Sequence, residues 1–355
     1  MYETKIKRGS IPCLHTELNL ALTLHGGQSF RWTDCDDGYK GIFDGCVWTL
    51  SQNDTHLSYT VQGQGLKNTV HYDNILSEYL RLSIPLKEHY KKWVETDTHF
   101  QKCLDESNAV RILKQDVVET LFSFICSSNN NISRYIFLKI HNELTYKFIL
   151  LTLEIHICFR ISNMVEKLCS LFGQKICSID NREYYDFPTI EALKEKNVES
   201  ILKREKFGYR AAYIVNTAER LSTLGGKKWL LNLQKENNVS YQTAREQLMT
   251  LPGIGPKVAD CICLMSLGHL DAIPVDTHIF QIAQANYLPY LRKQKTVTPK
   301  IHTEVSNYLR GLWGPLAGWA QAIVFSAKIN NKSKLIGKRK RGNENFIQAK
   351  VLKDK

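Results

Sequence analysis

Two absences limit what this chain of 355 residues can be. No cysteine follows Cys263, so neither a zinc ribbon nor a four-cysteine iron–sulfur cluster can be completed there. The apolar-rich stretch from Tyr135 to Arg160 is interrupted by Lys147, Glu154 and His156, which leave no uninterrupted run of about 18 apolar residues for a membrane span. We therefore expect no structural metal cage and no membrane insertion.

We expect no secretion signal, because Met1 to Gly9 is polar, and the ten cysteines are scattered along the chain. These features predict reduced thiols in a nuclear or cytosolic setting. Apolar residues make up 43% of the sequence, which is typical of a folded protein with a real core. The formal net charge of +12 favours a polyanionic partner, nucleic acid before an anionic membrane.

The spacing of apolar residues divides the chain into two regions. Early short runs are separated by Gly and Asp, and one of them has the two-residue period of a half-buried strand, at Leu57, Tyr59 and Val61. Later runs have helical spacing. The pattern predicts an α+β protein with an N-terminal antiparallel β-sheet domain over 9–116 and a nearly all-α domain over 117–333.

Two segments fit neither region. Residues 135–160 are rich in β-branched and aromatic residues without a single period, and we interpret them as an insertion. The polar tail 334–355 carries four consecutive basic residues, Lys338 to Arg341, which are typical of a nuclear-localisation cluster or a DNA-binding tail. A merely solvated tail is the alternative.

A tight turn stands in the sequence M-T-L-P-G-I-G-P-K-V-A-D-C, which begins at Met249. Gly253 and Gly255 permit turn angles that other residues avoid, and Pro256 suits a first helical position, so the sequence predicts a helix-hairpin-helix. Its exposed amides can bind a DNA phosphate without reading sequence. Three turn carbonyls are candidates to hold a bridging cation, those of Met249, Leu251 and Ile254.

Lys257 is the second residue of the predicted helix, where the helix dipole and desolvation lower the pKa of its amine. A neutral lysine is a nucleophile, although the ordinary role of a lysine is a solvated surface charge. Farther along, I-P-V-D-T-H places Asp276 to cap a helix that begins at Thr277. Beyond capping, such a carboxylate can stabilise an oxocarbenium-like sugar and move protons.

These motifs resemble the helix-hairpin-helix, Gly/Pro-Asp superfamily of DNA base-excision glycosylases, and specifically the eukaryotic 8-oxoguanine DNA glycosylase/lyase family. The resemblance spans roughly residues 10 to 330. It also covers the motifs G-G-Q-S-F-R-W (Gly26 to Trp32), L-F-S-F-I-C-S-S-N-N-N-I (Leu121 to Ile132), F-G-Y-R-A-A-Y (Phe207 to Tyr213) and L-W-G-P-L-A-G-W-A-Q-A-I-V-F-S-A (Leu312 to Ala327).

The resemblance implies a TBP-like N-terminal sheet and a monomeric, cofactor-free, bifunctional enzyme of the nucleus, with a mitochondrial pool left open. Its partner would be double-stranded DNA that contains 8-oxoguanine, and also ring-opened purines, opposite cytosine. Lys257 would attack the anomeric carbon, expel the base and form a Schiff base that β-eliminates the 3′ phosphate. Asp276 would be its electrostatic and acid–base partner.

The resemblance also implies roles around the extruded base and the remaining duplex. Around the base, Gly27 would offer its carbonyl to the N7 proton, Cys261 and Pro274 would flank the ring, Gln321 would read its edge and Phe325 would stack on its face. Along the duplex, Asn129 would fill the vacated space, Tyr209 would wedge the stack, Arg134 and Arg210 would bind the orphaned cytosine, and His278, Gly253 and Gly255 would meet phosphates. The ordinary alternatives are a core role for Phe325 and a plain turn for Gly27.

The insertion is the main departure from the family. There the N-N-N-I-x-R segment runs directly into I-x-x-M-V-E, whereas here residues 135–160 intervene. Either the insertion belongs to the protein or it is an intron retained in the coding sequence, and Arg160 would then replace Arg134 at the cytosine. A non-catalytic helix-hairpin-helix DNA-binding protein, inactivated by the insertion, remains the alternative function. The endonuclease III group is excluded because its four-cysteine cluster cannot be built after Cys263.

Overall fold

The computed structural model describes residues 5–63, 66, 70–128 and 159–329. An antiparallel five-stranded sheet forms the N-terminal part, in the order β1-β5-β4-β3-β2. Its strands are β1 (Lys5–Pro12), β2 (Thr33–Cys35), β3 (Gly38–Phe43), β4 (Cys46–Gln52) and β5 (His56–Gly63). On β5, Leu57, Tyr59 and Val61 are buried between more exposed neighbours. The predicted N-terminal antiparallel sheet is confirmed.

Helices also occur in this N-terminal part, although its sequence pattern predicts only strands. They are α1 (Leu20–His25), α2 (Tyr72–Tyr79), α3 (Leu86–Thr96) and α4 (Thr98–Glu106). Asp97 ends α3 and caps α4 by accepting two backbone N–H groups. Leu86, Trp93 and Phe100 lie in the core of the helical region, whereas the sheet has a separate core around Trp48.

The rest of the described chain is mainly helical. Its helices are α5 (Val117–Ser127), α6 (described part 159–172), α7 (Ile190–Leu193), α8 (Val198–Arg204), α9 (Arg210–Leu224), α10 (Lys227–Asn232), α11 (Tyr241–Leu248), α12 (Pro256–Met265), α13 (Thr277–Ile282), α14 (Pro299–Trp313) and α15 (described part 317–329). Helix α12 packs against α5 and α11, and it is buried from Val258 to Met265. None of the helices in the described ranges is both long and apolar enough to cross a membrane.

A β-hairpin interrupts the helical region, formed by β6 (Lys175–Ile179) and β7 (Arg182–Tyr185). Asp180 and Asn181 connect the strands with φ of 50° and 61°, as in a two-residue type I′ turn. Cys177 and Tyr184 pack with Val47 of β4, so the hairpin extends the apolar contacts of the N-terminal sheet. The region after residue 117 is nearly all α, as predicted, and this hairpin is not identified from the sequence because its strands are too short for their period to stand out.

The buried guanidinium of Arg111 hydrogen-bonds several of the segments that precede α5. Arg111 Nε donates to the Glu17 carbonyl at 2.6 Å, Nη1 to the Arg81 and Ile84 carbonyls at 2.6 and 3.2 Å, and Nη2 to the Glu17 carboxylate at 3.0 Å. Its side chain is almost fully buried. These bonds offset the cost of taking the charge out of water.

We expect Arg111→Met to lower the free energy of unfolding by about 3 kcal/mol, because several buried acceptors lose their donor at once. Urea denaturation followed by circular dichroism measures the change. The exposed Arg220→Met is the matched control and should move the unfolding free energy by no more than about 0.5 kcal/mol. Equal effects of the two substitutions would contradict this role of Arg111.

Candidate active site

The predicted helix-hairpin-helix is present, formed by α11, a short turn and α12. Gly253 has φ of +77°, in the left-handed region, and a Cβ there would lie 2.7 Å from the Tyr213 ring. Leu251 and Ile254 anchor the turn by burial, and the Ile254 N–H donates to the Leu251 carbonyl at 3.2 Å. The hairpin backbone at Gly255 is only partly buried, as contact with a phosphate requires.

Pro256 is the first residue of α12, so its fixed φ and missing N–H suit the helix start and deliver Lys257 as the second residue. The Lys257 side chain is half-buried, and its Nζ lies 5.0 Å from the centroid of the Phe124 ring on α5. The Lys257 side chain also hydrogen-bonds Cys261, one turn farther along α12. The amine therefore lies close to both an aromatic ring and a thiol.

Cys261 is 2% exposed and lies within reach of both predicted catalytic charges. Burial raises the pKa of the Cys261 thiol to about 11; Lys257 opposes the rise, while Asp260 and Asp276 add to it. The thiol therefore stays protonated at neutral pH and is a poor nucleophile. The charges of Lys257 and Asp276 both influence the pKa of this thiol, although the two residues come from different helices.

Asp276 caps α13, which begins at Thr277 as the sequence predicts. Its Oδ1 accepts the backbone N–H groups of His278 and Ile279, both at 2.9 Å. Both bonds use one carboxylate oxygen, and the residue is only half-buried. The cap thus fixes the direction of the carboxyl group, while its second oxygen is not used by the cap.

The start of α13 and helix α15 meet at the predicted base pocket. Gln321 Nε2 donates to the Pro274 carbonyl at 3.0 Å, which fixes the amide orientation and leaves the buried Oε1 without a partner among the described residues. The Phe325 ring lies 5.9 Å from the His278 ring in an edge-to-face arrangement. A buried acceptor without a hydrogen-bond donor is costly, and an N–H group of a bound ligand would satisfy it.

The predicted Gly27 lies in the turn that follows α1, with φ of +75°. The next residue, Gln28, fastens this turn by donating to the Arg111 carbonyl at 2.7 Å and accepting the Leu113 N–H at 3.0 Å. Phe30 then packs edge-to-face on Phe124, the ring that lies beside Lys257, at 5.7 Å between centroids. The turn is thus connected to the lysine through two aromatic rings.

Tyr209 and Arg210 lie at the start of α9 and reach the end of α5. The Tyr209 hydroxyl donates to the Ser128 carbonyl at 3.0 Å, and Arg210 Nη2 donates to the same oxygen at 2.6 Å. Tyr209 is 41% exposed, whereas Arg210 is 3% exposed with its guanidinium 4.7 Å from the Tyr209 ring centroid. The predicted Asn129 and Arg134 lie outside the described residues, while Arg160 is exposed in α6.

Sequence reasoning missed two side chains at this site. Phe124 stands inside the quoted L-F-S-F-I-C motif, but its contact with Lys257 joins residues far apart in the chain. Lys328 Nζ donates to the His278 carbonyl at 3.2 Å and to Gln281 Oε1 at 2.9 Å, so it ties α15 to α13. Within the described ranges, no group of three His, Cys, Asp or Glu side chains is arranged to hold a metal ion.

An N-terminal sheet joined to a helical body, with a half-buried lysine after a Gly-rich hairpin and a capping aspartate near it, defines a helix-hairpin-helix DNA glycosylase. Family comparison agrees: residues 10–121 match the model for 8-oxoguanine DNA glycosylase, N-terminal domain, and residues 242–264 match the helix-hairpin-helix motif. The chain is 36% identical over 327 residues to N-glycosylase/DNA lyase OGG1 of Arabidopsis thaliana, covering 91% of this chain and 80% of that protein. It belongs to the N-glycosylase/DNA lyase family, which confirms the predicted enzyme class.

Further comparisons agree with this assignment. The N-glycosylase/DNA lyase of Saccharomyces cerevisiae is 34% identical over 361 residues, which cover 92% of this chain and 88% of that protein. Among solved structures, the chain is similar to the Clostridium acetobutylicum 8-oxoguanine glycosylase/lyase in complex with double-stranded DNA containing cytosine opposite 8-oxoguanine. The TM-score is 0.70 and the sequence identity 25%, and the match covers 93% of this chain and 98% of that one. MBOgg1 in complex with a low-affinity DNA ligand gives a TM-score of 0.69 and 28% identity, covering 92% and 98%.

Proposed function

We propose that this enzyme removes 8-oxoguanine, and also ring-opened purines, opposite cytosine, through a covalent intermediate on Lys257. The observation that carries the proposal is that the Lys257 amine lies 5.0 Å from the centroid of the Phe124 ring and hydrogen-bonds the buried Cys261 thiol, whose pKa the Asp276 charge also raises. The names of the similar solved enzyme and of the matching family model support this substrate.

The reaction has two stages. Lys257 Nζ forms a bond to C1′ while the bond from C1′ to the base nitrogen breaks, and the base leaves after gaining a proton. The sugar ring opens as its oxygen leaves C1′ and is protonated, which gives an imine between Nζ and C1′. Removal of a C2′ proton then breaks the C3′–O bond and releases the 3′ phosphate. The Asp276 carboxylate stabilises the positive charge that develops on the sugar and relays the protons.

Recognition of the base follows extrusion from the duplex. The free Gln321 Oε1 accepts an N–H of the base edge, Phe325 stacks on its face, and Cys261 and Pro274 flank it. The Gly27 carbonyl accepts the N7 proton, which 8-oxoguanine carries and guanine lacks. Because guanine would leave that carbonyl unpaired, the site rejects it by more than the small net free energy of one hydrogen bond.

Contacts with the duplex surround the pocket. The hairpin at Gly253 and Gly255 binds a phosphate through backbone N–H groups, and His278 meets another, in keeping with the net charge of +12. Tyr209 wedges the base stack, Arg210 and Arg134 bind the orphaned cytosine, and Asn129 fills the vacated space. We further propose that the carbonyls of Met249, Leu251 and Ile254 hold a cation that bridges to the phosphate at the hairpin. The enzyme acts as a monomer. The basic cluster Lys338 to Arg341 directs it to the nucleus.

Release of free base from matched duplexes tests the substrate assignment. Under single-turnover conditions, duplexes carry 8-oxoguanine opposite each of the four bases, and a guanine:cytosine duplex is the control. We expect release to be fastest opposite cytosine and absent from the control duplex. Binding to every duplex with release from none would favour the non-catalytic DNA-binding protein instead.

The Gln321 side chain offers a sharper test of base reading. We expect Gln321→Ala to lower kcat/KM for the 8-oxoguanine:cytosine duplex by about 10- to 100-fold, since an acceptor to the base edge is lost. The rate of strand cleavage at a preformed abasic site should change little, because no base is present there. Gln101→Ala on α4 is the control. Equal losses on both substrates would contradict a role of Gln321 in reading the base.

A further inference from the structure

Tyr213 has no role in the mechanism above, yet its side chain packs against the hairpin turn at Gly253. It belongs to the first turns of α9 and is 38% exposed. A Cβ at Gly253 would lie 2.7 Å from Tyr213 Cγ and 2.9 Å from its Cβ and Cδ2. The hairpin backbone therefore packs directly against the part of the Tyr213 side chain nearest its own backbone. One turn later, Thr217 Oγ1 donates to the Pro252 carbonyl at 2.7 Å. Helix α9 therefore supports the hairpin at two successive points.

The other side of the same ring contacts the proposed wedge. The rings of Tyr213 and Tyr209 lie 5.7 Å apart at 75°, an edge-to-face pair. Tyr209 is in turn held by its hydrogen bond to the Ser128 carbonyl at the end of α5. A continuous series of contacts thus runs from the hairpin turn at Gly253 through Tyr213 to Tyr209.

We propose that Tyr213 is a positioning residue that fixes the distance between the phosphate-binding hairpin and the Tyr209 wedge, an inference that rests on the proposed function. Extruding a nucleotide costs unstacking and unpairing free energy. A wedge that is already ordered relative to the hairpin loses little conformational entropy when the hairpin binds the backbone. Part of the free energy of phosphate binding at the hairpin is thereby used to open the base stack at the lesion.

The experiment combines Tyr213→Leu, Tyr213→Phe, Tyr209→Ala and the double variant Tyr209→Ala/Tyr213→Leu. A 2-aminopurine base next to the lesion reports extrusion by its fluorescence, and single-turnover base release reports the rate. We expect Tyr213→Leu to weaken the fluorescence change and to slow base release by about tenfold, because an edge-to-face ring pair is lost. Tyr213→Phe should behave like the parent, because the ring makes the contacts.

The double variant separates positioning from general stability. If Tyr213 acts through Tyr209, the double variant releases base no more slowly than Tyr209→Ala alone, since coupled residues are not additive. Gly253→Ala, which pushes against the ring from the other side, should also weaken the fluorescence change. The exposed Tyr290→Leu is the control.

Losses that multiply in the double variant, or a parental rate for Tyr213→Leu, would overturn the positioning role. Failure of the parent protein itself to extrude the base or to release it would instead overturn the proposed function. The two failures are distinguishable because the parent is measured first on the same duplexes.

Discussion

Lys257→Gln should abolish lyase activity and lower the rate of base release by on the order of 10³-fold or more, because an amide cannot form the bond to C1′. Its binding to the lesion duplex should stay within about tenfold of the parent, since hairpin, wedge and pocket are unchanged. Single-turnover release and duplex-binding titrations measure the two effects. The side chain that is lost packs on Phe124, so thermal unfolding is recorded alongside.

The chain contains a matched control for this lysine. Lys300 is also the second residue of a helix, α14, and also follows a proline at the first position, but it is exposed. Lys300→Gln should therefore release base at the parental rate. If Lys257→Gln still released base at the rate of the Lys300 control, another group would have to be the nucleophile.

Asp276→Asn should lower the rate of base release by about 10²- to 10⁴-fold while leaving the fold intact. Asparagine is as good a helix cap as aspartate, because its amide oxygen can accept the same N–H groups of His278 and Ile279. The substitution therefore removes charge and proton transfer but keeps the cap. Single-turnover release and thermal unfolding, measured together, separate the two roles of this residue.

Asp116 provides the control for the capping role. It caps α5 by accepting the N–H groups of Val118 and Glu119 at 2.9 and 3.0 Å, so Asp116→Asn makes the same chemical change at another helix start. Its rate of base release should match the parent. A parental rate for Asp276→Asn as well would mean that Asp276 serves only as a cap.

Local signals predict the central part of the fold well. Gly253 and Pro256 of the hairpin each serve a specific backbone need, and α12 begins at Pro256 as expected. The prediction that Gly255 adopts an angle other residues avoid is wrong, because its φ is −93° and a Cβ there would contact nothing among the described residues. The Asp276 cap is a local hydrogen-bond pattern, and the alternation on β5 follows from burial of one face. Each of these features is decided by residues close together in the chain.

The features that sequence reasoning missed depend on distant partners. Helix α3 contributes Trp93 to the helical core although it follows the strands, and only the folded chain shows which core it joins. The β6–β7 hairpin did leave a signal, the Asp180-Asn181 pair that suits a type I′ turn. The contact of Phe124 with Lys257 leaves none, because spacing along the chain says nothing about which rings meet across the core.

The most direct test of the account is to locate the covalent bond. The parent enzyme is mixed with an 8-oxoguanine:cytosine duplex in the presence of borohydride, which reduces an imine to a stable amine, and the cross-linked peptide is identified by mass spectrometry. We expect one adduct, on Lys257 in the peptide that also contains Cys261. An adduct on any other amine, or base release without a trappable adduct, would contradict it.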